Sequence, residues 1–329
     1  MKPYSSLTTT GQARRLKRMA IRALEQYDLP VERLSLITND FNGIFRIDTT
    51  DRRKFVLRVT LPEGGHDRQA VQAEMAWLEA LGRETGLSVP SPLTTRSGDL
   101  LVEVEAQGVP EPRLCAIFNW MPGVNLAKRL SPENLFHLGA LMARLHQHAL
   151  NFHLPGKWKI PYYDRVFPYP EPILLFEEPY QALFPPMRRS VFQQAIESIE
   201  QAIDRLRLEP MRIIHNDLHQ WNVRVYRKLL SPIDFEDLVW GWPVQDIATC
   251  LYYFMKDEHF LTYRQAFQEG YATVNPWPEH YPGEVDRFIA ARGLLLANFI
   301  LTDPNPAWRI QAQSFVEKTE QLICDLDIL

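Results

Sequence analysis

The sequence changes its period at Met121-Pro122-Gly123. Before that tripeptide the apolar residues fall in short runs bounded by turn residues. After it they recur every three or four positions. A chain that switches from strand-like to helical periodicity at one point builds a sheet first and helices afterwards. Its 329 residues exceed one small core and imply two lobes.

In the first part, residues 10–28 read as a basic amphipathic helix ending before Pro30, with the cluster Ala13 to Arg18 as a solvated face. Three strand candidates follow: RLSLIT (33–38), GIFRID (43–48) and KFVLRVT (54–60). The polar NDFN joins the first two, and the hairpin-like TTDRR joins the next. A helix is expected from about Asp67 to Gly82. GLSVPSPL breaks it, and LLVEVEA (100–106) and RLCAIFNWM (113–121) supply two more strands. The expectation is an α+β lobe, a small antiparallel sheet with a helix against it.

In the second part, Ser131-Pro132-Glu133 combines a cap, a first-turn proline and an early acid, which together start a helix. Leu135, Leu138, Met142 and Leu145 continue it at helical spacing. Further helices are expected at about 190–208, 244–255, 257–274, 283–301 and 306–325. The stretch from Pro155 to Pro186 holds eight of the chain's 25 prolines, which keeps it extended. Its interleaved aromatics, from Trp158 to Phe184, are too many for a disordered linker. It packs as a long loop on the helical lobe, or part of it walls a substrate pocket.

Charge and cysteine usage narrow the partners. A net charge of −4 provides no global basic field, so no nucleic acid partner is expected. Cys115, Cys250 and Cys324 are far apart, odd in number and without a CxxC, which fits a reducing cytoplasm. The N-terminus lacks the apolar core of a signal peptide. The longest apolar run, Leu294 to Leu301, is too short to span a bilayer. A cytoplasmic protein with no membrane partner is the expectation.

The helical part is interrupted once, at 211–237. MRII delivers the polar HNDLHQWN, His215 to Asn222, and VRVY and LSPIDF then read as a hairpin around RKL. That hairpin makes Asn222 and Asp234, twelve apart, candidate neighbours. Two chemistries suit the loop. H-x-D-x-H offers His215, Asp217 and His219 to zinc or iron. The remaining histidines form no further ligand motif, and His146 and His148 lie on different faces of one helix. Phosphoryl transfer uses more of the residues. It needs a carboxylate beside the attacking hydroxyl and oxygen ligands that hold magnesium against nucleotide phosphates. Asp217 would orient the hydroxyl and accept its proton, and Asn222 and Asp234 would bind the metal. The spacing equals that of the H-R-D-x-x-x-x-N catalytic loop, with Asn216 in the place of the arginine.

On these residues the sequence resembles the aminoglycoside phosphotransferase family. That kinase-fold group also includes homoserine kinases of one type, choline kinases and bacterial stress-response kinases. HNDLHQWN is similar to the family's H-x-D-x-x-x-x-N loop. PIDFEDLVWGWPVQDIA (232–248) resembles the segment that follows it, an I-D-F/W-x-D core leading to a later D-L/I-A. Either alone is weak; both at this spacing are specific. The resemblance extends from the N-terminal strands to the helices after Asp246.

The resemblance implies a two-lobed protein-kinase-like α+β fold. The N-terminal nucleotide-binding lobe would be 1–118, the hinge 119–124, and the mainly α-helical catalytic and substrate-binding lobe 125–329. It implies ATP and magnesium, and transfer of the γ-phosphoryl group to a hydroxyl of a small molecule such as an aminoglycoside, homoserine or an amino alcohol. Arg58, on one strand face with Lys54 and Val56, would serve the nucleotide phosphates. Glu74 lies on an apolar helix stripe, where an unpaired charge is costly, and would pair with Arg58. Backbone amides near Asn42 and Gly43, in the glycine-poor ITNDFNGIF, would cover phosphates, and NGIFRI resembles the family's N-x-V-Y-R-V. Asn119, Trp120 and Met121 of FNWMPG would bond the adenine edge. Asp246 and His215 would brace the catalytic loop, and Asp237 would stand behind the metal. Glu236 would touch the metal or face solvent.

Asn216, the absence of A-P-E and the short stretch between Asp234 and Asp246 disfavour a regulated protein kinase of the eukaryotic type. A stress-kinase-like protein substrate and a non-catalytic nucleotide-binding module stay open. Candidate acceptor walls are the Pro-aromatic segment, Glu177, Glu178, Trp240, Trp242 and Arg292. Acids there would suit a cationic acceptor and Arg292 a carboxylate.

Overall fold

Alternation in GIFRIDT and KFVLRV organises the first unit of the chain. The computed structural model describes residues 2–39, 41–61, 68–155, 158–302 and 306–329. In it β1 (Val31–Thr38), β2 (Gly43–Thr49), β3 (Lys54–Val59), β4 (Val102–Val104) and β5 (Arg113–Asn119) form one antiparallel sheet in the order β1-β2-β3-β5-β4. Phe45 and Ile47 of β2 and Phe55, Leu57 and Val59 of β3 share one face. Leu16, Met19, Ala20 and Ala23 of α1 (Thr9–Leu24) close over it. The side-chain period of 2 therefore places Arg58 on the other face, where it meets Glu74 of α2 (Arg68–Glu84). The expected start of this helix at Asp67 lies outside the described residues.

Two details differ from expectation. Arg15, in the basic cluster of α1, is buried, and its guanidinium donates to the carbonyls of Gly108 at 2.5 Å and Lys2 at 2.6 Å. Part of that cluster thus ties down neighbouring backbone instead of facing solvent. The strand expected at 100–106 shrinks to β4, because only Val102 to Val104 meet β5. The first unit comprises Met1–Gly123, Leu154–Lys159 and Ser231–Glu236.

The second unit comprises Val124–His153, Ile160–Leu230 and Asp237–Leu329. Its elements in chain order are β6 (Val124–Asn125), α3 (Pro132–Ala149), α4 (Pro186–Leu206), β7 (Arg212–Ile214), β8 (Val223–Tyr226), β9 (Leu229–Pro232), β10 (Val239–Gly241), α5 (Pro243–Tyr252), α6 (Phe260–Ala272), α7 (Glu284–Thr302) and α8 (Pro306–Asp325), with β9 leading into 231–236. Ser131 caps α3 by accepting the Asn134 N–H at 3.2 Å. LLLANFIL forms part of α7, which packs against α4, α5 and α8. Among the described residues no helix is long and apolar enough to cross a membrane.

Helices α3 and α6 approach so closely that only glycine fits at the crossing. A Cβ at Gly139 would land on the Phe267 carbonyl, and one at Gly270 on the Phe136 carbonyl. Overpacking of this kind costs typically about 1–3 kcal/mol. With backbone as the obstacle, Gly139→Ala is expected at or above about 3 kcal/mol, read from the urea unfolding midpoint. A midpoint equal to that of the wild type would show that the crossing relaxes freely.

The Pro-aromatic segment is strapped down at several points. Tyr163 N–H donates to Trp240 O, and Trp240 N–H to Pro161 O, both at 2.8 Å, so the segment lines β10 on the side away from β7. Tyr163, Ile214 and Val239 form a small core, with Tyr169 and Leu295 against it. Further on, Asn298 of α7 accepts the Leu174 N–H at 2.7 Å and donates to Pro172 O at 3.0 Å.

Candidate active site

The polar loop His215 to Asn222 leaves β7 through a left-handed residue, Asn216, with φ 62°. Asparagine tolerates that region better than most side chains. Asp246, in the first turn of α5, holds the bend by accepting the N–H groups of Asn216 at 2.7 Å and His215 at 3.2 Å. Asp246 is wholly buried, so its charge needs a full set of donors. His146 Nε2 lies 2.9 Å from it, and His146 Nδ1 lies 2.9 Å from the Tyr271 hydroxyl. The Asn216 side chain donates to the Tyr169 hydroxyl at 2.6 Å. His215 Nδ1 accepts the Asp217 N–H at 3.3 Å. The loop then closes through His219 N–H to Asp217 O and Asn222 N–H to His219 O, both at 2.9 Å. Gln220 contributes its carbonyl, which accepts the Ala127 N–H at 3.0 Å.

Asp217 is presented at the tip. Asn222 Nδ2 donates to the Asp217 carbonyl at 3.0 Å and to its Oδ2 at 2.9 Å. Arg292 Nη2 donates to Oδ1 at 2.5 Å and to the Tyr253 hydroxyl at 2.7 Å. His219 Nε2 stands 3.4 Å from Oδ2. Because His219 Nδ1 accepts the Trp221 N–H at 3.2 Å, a neutral His219 carries its proton on Nε2, facing the carboxylate. Burial pushes the Asp217 carboxyl up. The His219 hydrogen bond and the Arg292 charge outweigh it and hold the group below its ordinary value. It is therefore ionised at neutral pH, an acceptor for a hydroxyl proton. Tyr253 and Trp221 stand beside His219, with ring centroids 4.3 and 5.3 Å from it. The Trp221 side chain is about half exposed.

A second cluster lies within the first unit. Arg58 is buried and grips Glu74 with both terminal nitrogens, Nη1 at 2.9 Å from Oε1 and Nη2 on Oε2. Nη1 also reaches Glu236 Oε2 at 3.4 Å. Asn42 donates to the same Glu236 oxygen at 2.5 Å and accepts the Leu61 N–H at 3.2 Å. Phe235 is anchored edge-on against Trp77 at 5.5 Å. Burial alone would lower the Arg58 pKa. The carboxylates of Glu74, Glu236 and Asp234 outweigh it and keep the guanidinium charged. Three carboxylates thus act on one cation, an excess of negative charge that suits a further cation. Sequence alone leaves Glu236 between a metal contact and solvent; here it completes the Arg58 and Asn42 cluster instead.

Other expected residues are placed as follows. Gly43 opens β2 opposite Val59, under Leu16 of α1, and Asp40 of the same loop lies outside the described residues. Asn119 N–H donates to Ser91 O at 3.1 Å and Trp120 N–H to Lys54 O at 3.2 Å. Among the described residues, these commitments leave the Met121 N–H as the uncommitted backbone donor of 119–121. Trp240 stacks on Tyr162, and Trp242 is buried with its Nε1 on Glu209 O at 3.1 Å, so Trp242 is scaffold. Glu177 and Glu178 are exposed at the start of a short 3-10 turn. Among the described residues no group of three or more His, Cys, Asp or Glu is placed to hold a metal. The ring nitrogens His215 Nδ1 and His219 Nδ1 are turned to backbone N–H groups of their own loop. A cavity of about 1110 Å³ in the first unit, beside Gln72, Glu79 and Trp158, is lined by none of Asn42, Gly43, Arg58, Glu74, Asp217, Asn222 or Asp234.

A sequence profile of the phosphotransferase enzyme family (APH) matches residues 34–282. The chain belongs to that family. No curated protein sequence matches it. Among solved structures it is similar to a microcompartment-associated aminopropanol kinase, with 19% identity, a TM-score of 0.76, and coverage of 93% of this chain and 96% of that one. It is also similar to an amicoumacin kinase in complex with AMP-PNP and Ca2+, with 18% identity, a TM-score of 0.74 and coverage of 96% of each chain. A spectinomycin phosphotransferase in complex with ADP is similar at 12% identity and a TM-score of 0.62, covering 95% of this chain and 98% of that one. At these identities the likeness establishes the kinase-like fold.

In this member of the phosphotransferase family, sequence reasoning missed His146, Tyr169, Tyr253 and Tyr271. One signal was present for His146: it directly follows Leu145 on the apolar stripe of α3 and is buried, and a buried imidazole requires a polar partner. Nothing local named Asp246, 100 residues away. The tyrosines carry no spacing signal at all.

Proposed function

We propose that this phosphotransferase moves the γ-phosphoryl group of ATP to a hydroxyl of a small molecule. The observation that carries the reading is the pairing within the D-x-x-x-x-N loop. Asn222 spends its amide N–H groups on Asp217, which leaves its carbonyl oxygen for a cation, while Asp217 stays ionised. Asn222 and Asp234 are the proposed magnesium ligands, an all-oxygen set of the kind magnesium prefers. Bound magnesium would neutralise charge on the β- and γ-phosphates.

The chain's own residues do the rest. The acceptor hydroxyl gives its proton to Asp217 as its oxygen bonds to the γ-phosphorus. The bond to the β,γ-bridging oxygen breaks, and ADP leaves. In the proposed nucleotide lobe, 1–118, Glu74 holds Arg58. Phosphates reach Arg58 by displacing Glu236, the longer of its contacts. Backbone amides at Asn42 and Gly43 cover the phosphates. In the proposed hinge, 119–124, the adenine edge takes the Met121 N–H, with the Asn119 and Trp120 N–H groups holding the strand end in place. The lobe 125–329 binds the acceptor. A small acceptor is supported by the similar structures, which are named for aminopropanol, amicoumacin and spectinomycin. A cytoplasmic location supplies the ATP.

The test is a screen of amino alcohols, aminoglycosides and homoserine by magnesium-dependent ATP consumption. At least one acceptor is expected to stimulate turnover, and excess EDTA to abolish it. Turnover that survives EDTA unchanged would remove magnesium from the account.

A further inference from the structure

Neither oxygen of the Asp217 carboxylate is free. Oδ2 is held from within the loop, by Asn222 Nδ2 at 2.9 Å and by His219 Nε2 at 3.4 Å. Oδ1 is held from outside it, by Arg292 of α7, 75 residues later in the chain. The same Arg292 nitrogen donates to the Tyr253 hydroxyl at 2.7 Å, and the guanidinium carbon stands 5.6 Å from the Tyr253 ring centroid. The arginine side chain is largely buried, so it has little room to swing. A carboxylate gripped on opposite oxygens by two different elements cannot rotate without breaking both grips.

We propose that Arg292 is a positioning residue for the phosphoryl transfer. With Tyr253 as its second anchor, it fixes the rotamer in which Asp217 meets the reacting hydroxyl. This rests on the assignment of Asp217 above. It makes the geometry of the catalytic carboxylate depend on α7. That helix also carries Asn298, which is bonded to Pro172 and Leu174, and Leu295, which packs against the small core of Tyr163, Ile214 and Val239. The Pro-aromatic segment and the catalytic carboxylate thus share one support.

The test uses the full chain and magnesium-dependent ATP consumption, with the acceptor that the screen returns and with water alone where it returns none. Arg292→Ala is expected to lower kcat about 100-fold with the KM for ATP within about threefold, the loss expected when a catalytic group is misplaced by about 1 Å. Methylguanidinium in the buffer should restore about tenfold of that loss, while urea restores nothing. Arg292→Lys should stay impaired, because the shorter, flexible lysine chain does not hold a nitrogen at the place of Nη2, the one donor that serves both acceptors. Tyr253→Phe should lose part of kcat. In an Asp217→Asn background, Arg292→Ala should cost nothing further, since it acts through that carboxylate.

A kcat within about threefold of wild type in Arg292→Ala overturns the proposal, as does an unrescued loss of equal size in both backgrounds, the pattern of simple packing damage. If Arg292→Ala fails to fold, wild-type kcat in both Arg292→Lys and Tyr253→Phe overturns it. Failure of the functional reading looks different: Asp217→Asn itself would then turn over ATP like the wild type.

Discussion

Asp217→Asn is expected to lower kcat about a thousandfold, within the range of about 10²–10⁴ that a positioned general base contributes. Asparagine keeps the volume, its single side-chain oxygen can still accept from Arg292, and Asn222 keeps its bond to the backbone carbonyl of residue 217, so the loop should hold its shape. What it loses is the negative charge that takes the hydroxyl proton. The KM for ATP should change little, because no nucleotide contact is assigned to Asp217. The same substitution leaves Arg292 buried without its carboxylate. Some loss of stability therefore accompanies it, and circular dichroism must show native folding before kcat is read. A folded Asp217→Asn protein within tenfold of wild-type kcat would place the chemistry elsewhere.

The second large effect is on stability. Arg58 and Glu74 have side chains only 5% and 3% exposed. Breaking a buried pair by removing one partner costs about 3–5 kcal/mol, because the other charge is stranded. Glu74→Ala should fall at the lower end, about 3 kcal/mol, since Arg58 keeps Glu236 at 3.4 Å. Replacing both partners by apolar residues, Arg58→Met with Glu74→Leu, should recover most of the loss, as isosteric replacement of buried pairs commonly does. ATP affinity should not recover with it. The double variant thereby separates what the pair does for the fold from what it does for the nucleotide. Equal unfolding midpoints for Glu74→Ala and the wild type would mean that the pair contributes nothing to stability.

Glu74 and Asp217 show what a sequence makes legible. A carboxylate on an apolar stripe of α2 announces burial, and burial demands a cation. Arg58, at the inner end of the strand face it shares with Lys54 and Val56, was the cation matched to it. D-x-x-x-x-N followed by a second aspartate is a fixed offset within one loop and its hairpin, so local spacing carries it. The period switch at Met121-Pro122-Gly123 likewise gave the order of sheet and helices. The partners of Glu236, His146 and Arg292 were beyond reach for a common reason. Periodicity encodes which side chains are buried, but which buried groups meet is decided by packing between elements about 75 to 194 residues apart. Strand β10 was missed because three residues cannot display an alternation. Its place is set by β7 on one side and Pro161 and Tyr163 on the other. The buried Arg15 was missed because its acceptors are backbone carbonyls, which every residue has and no sequence pattern marks.

The proposed reaction is transfer of a phosphoryl group from ATP to a hydroxyl. Phosphorus NMR of the full chain with ATP, magnesium and the acceptor panel tests it most directly. A new phosphomonoester resonance is expected to grow in step with ADP with the wild type and to be absent with Asp217→Asn. ATP that binds but yields no phosphomonoester with any acceptor would contradict it.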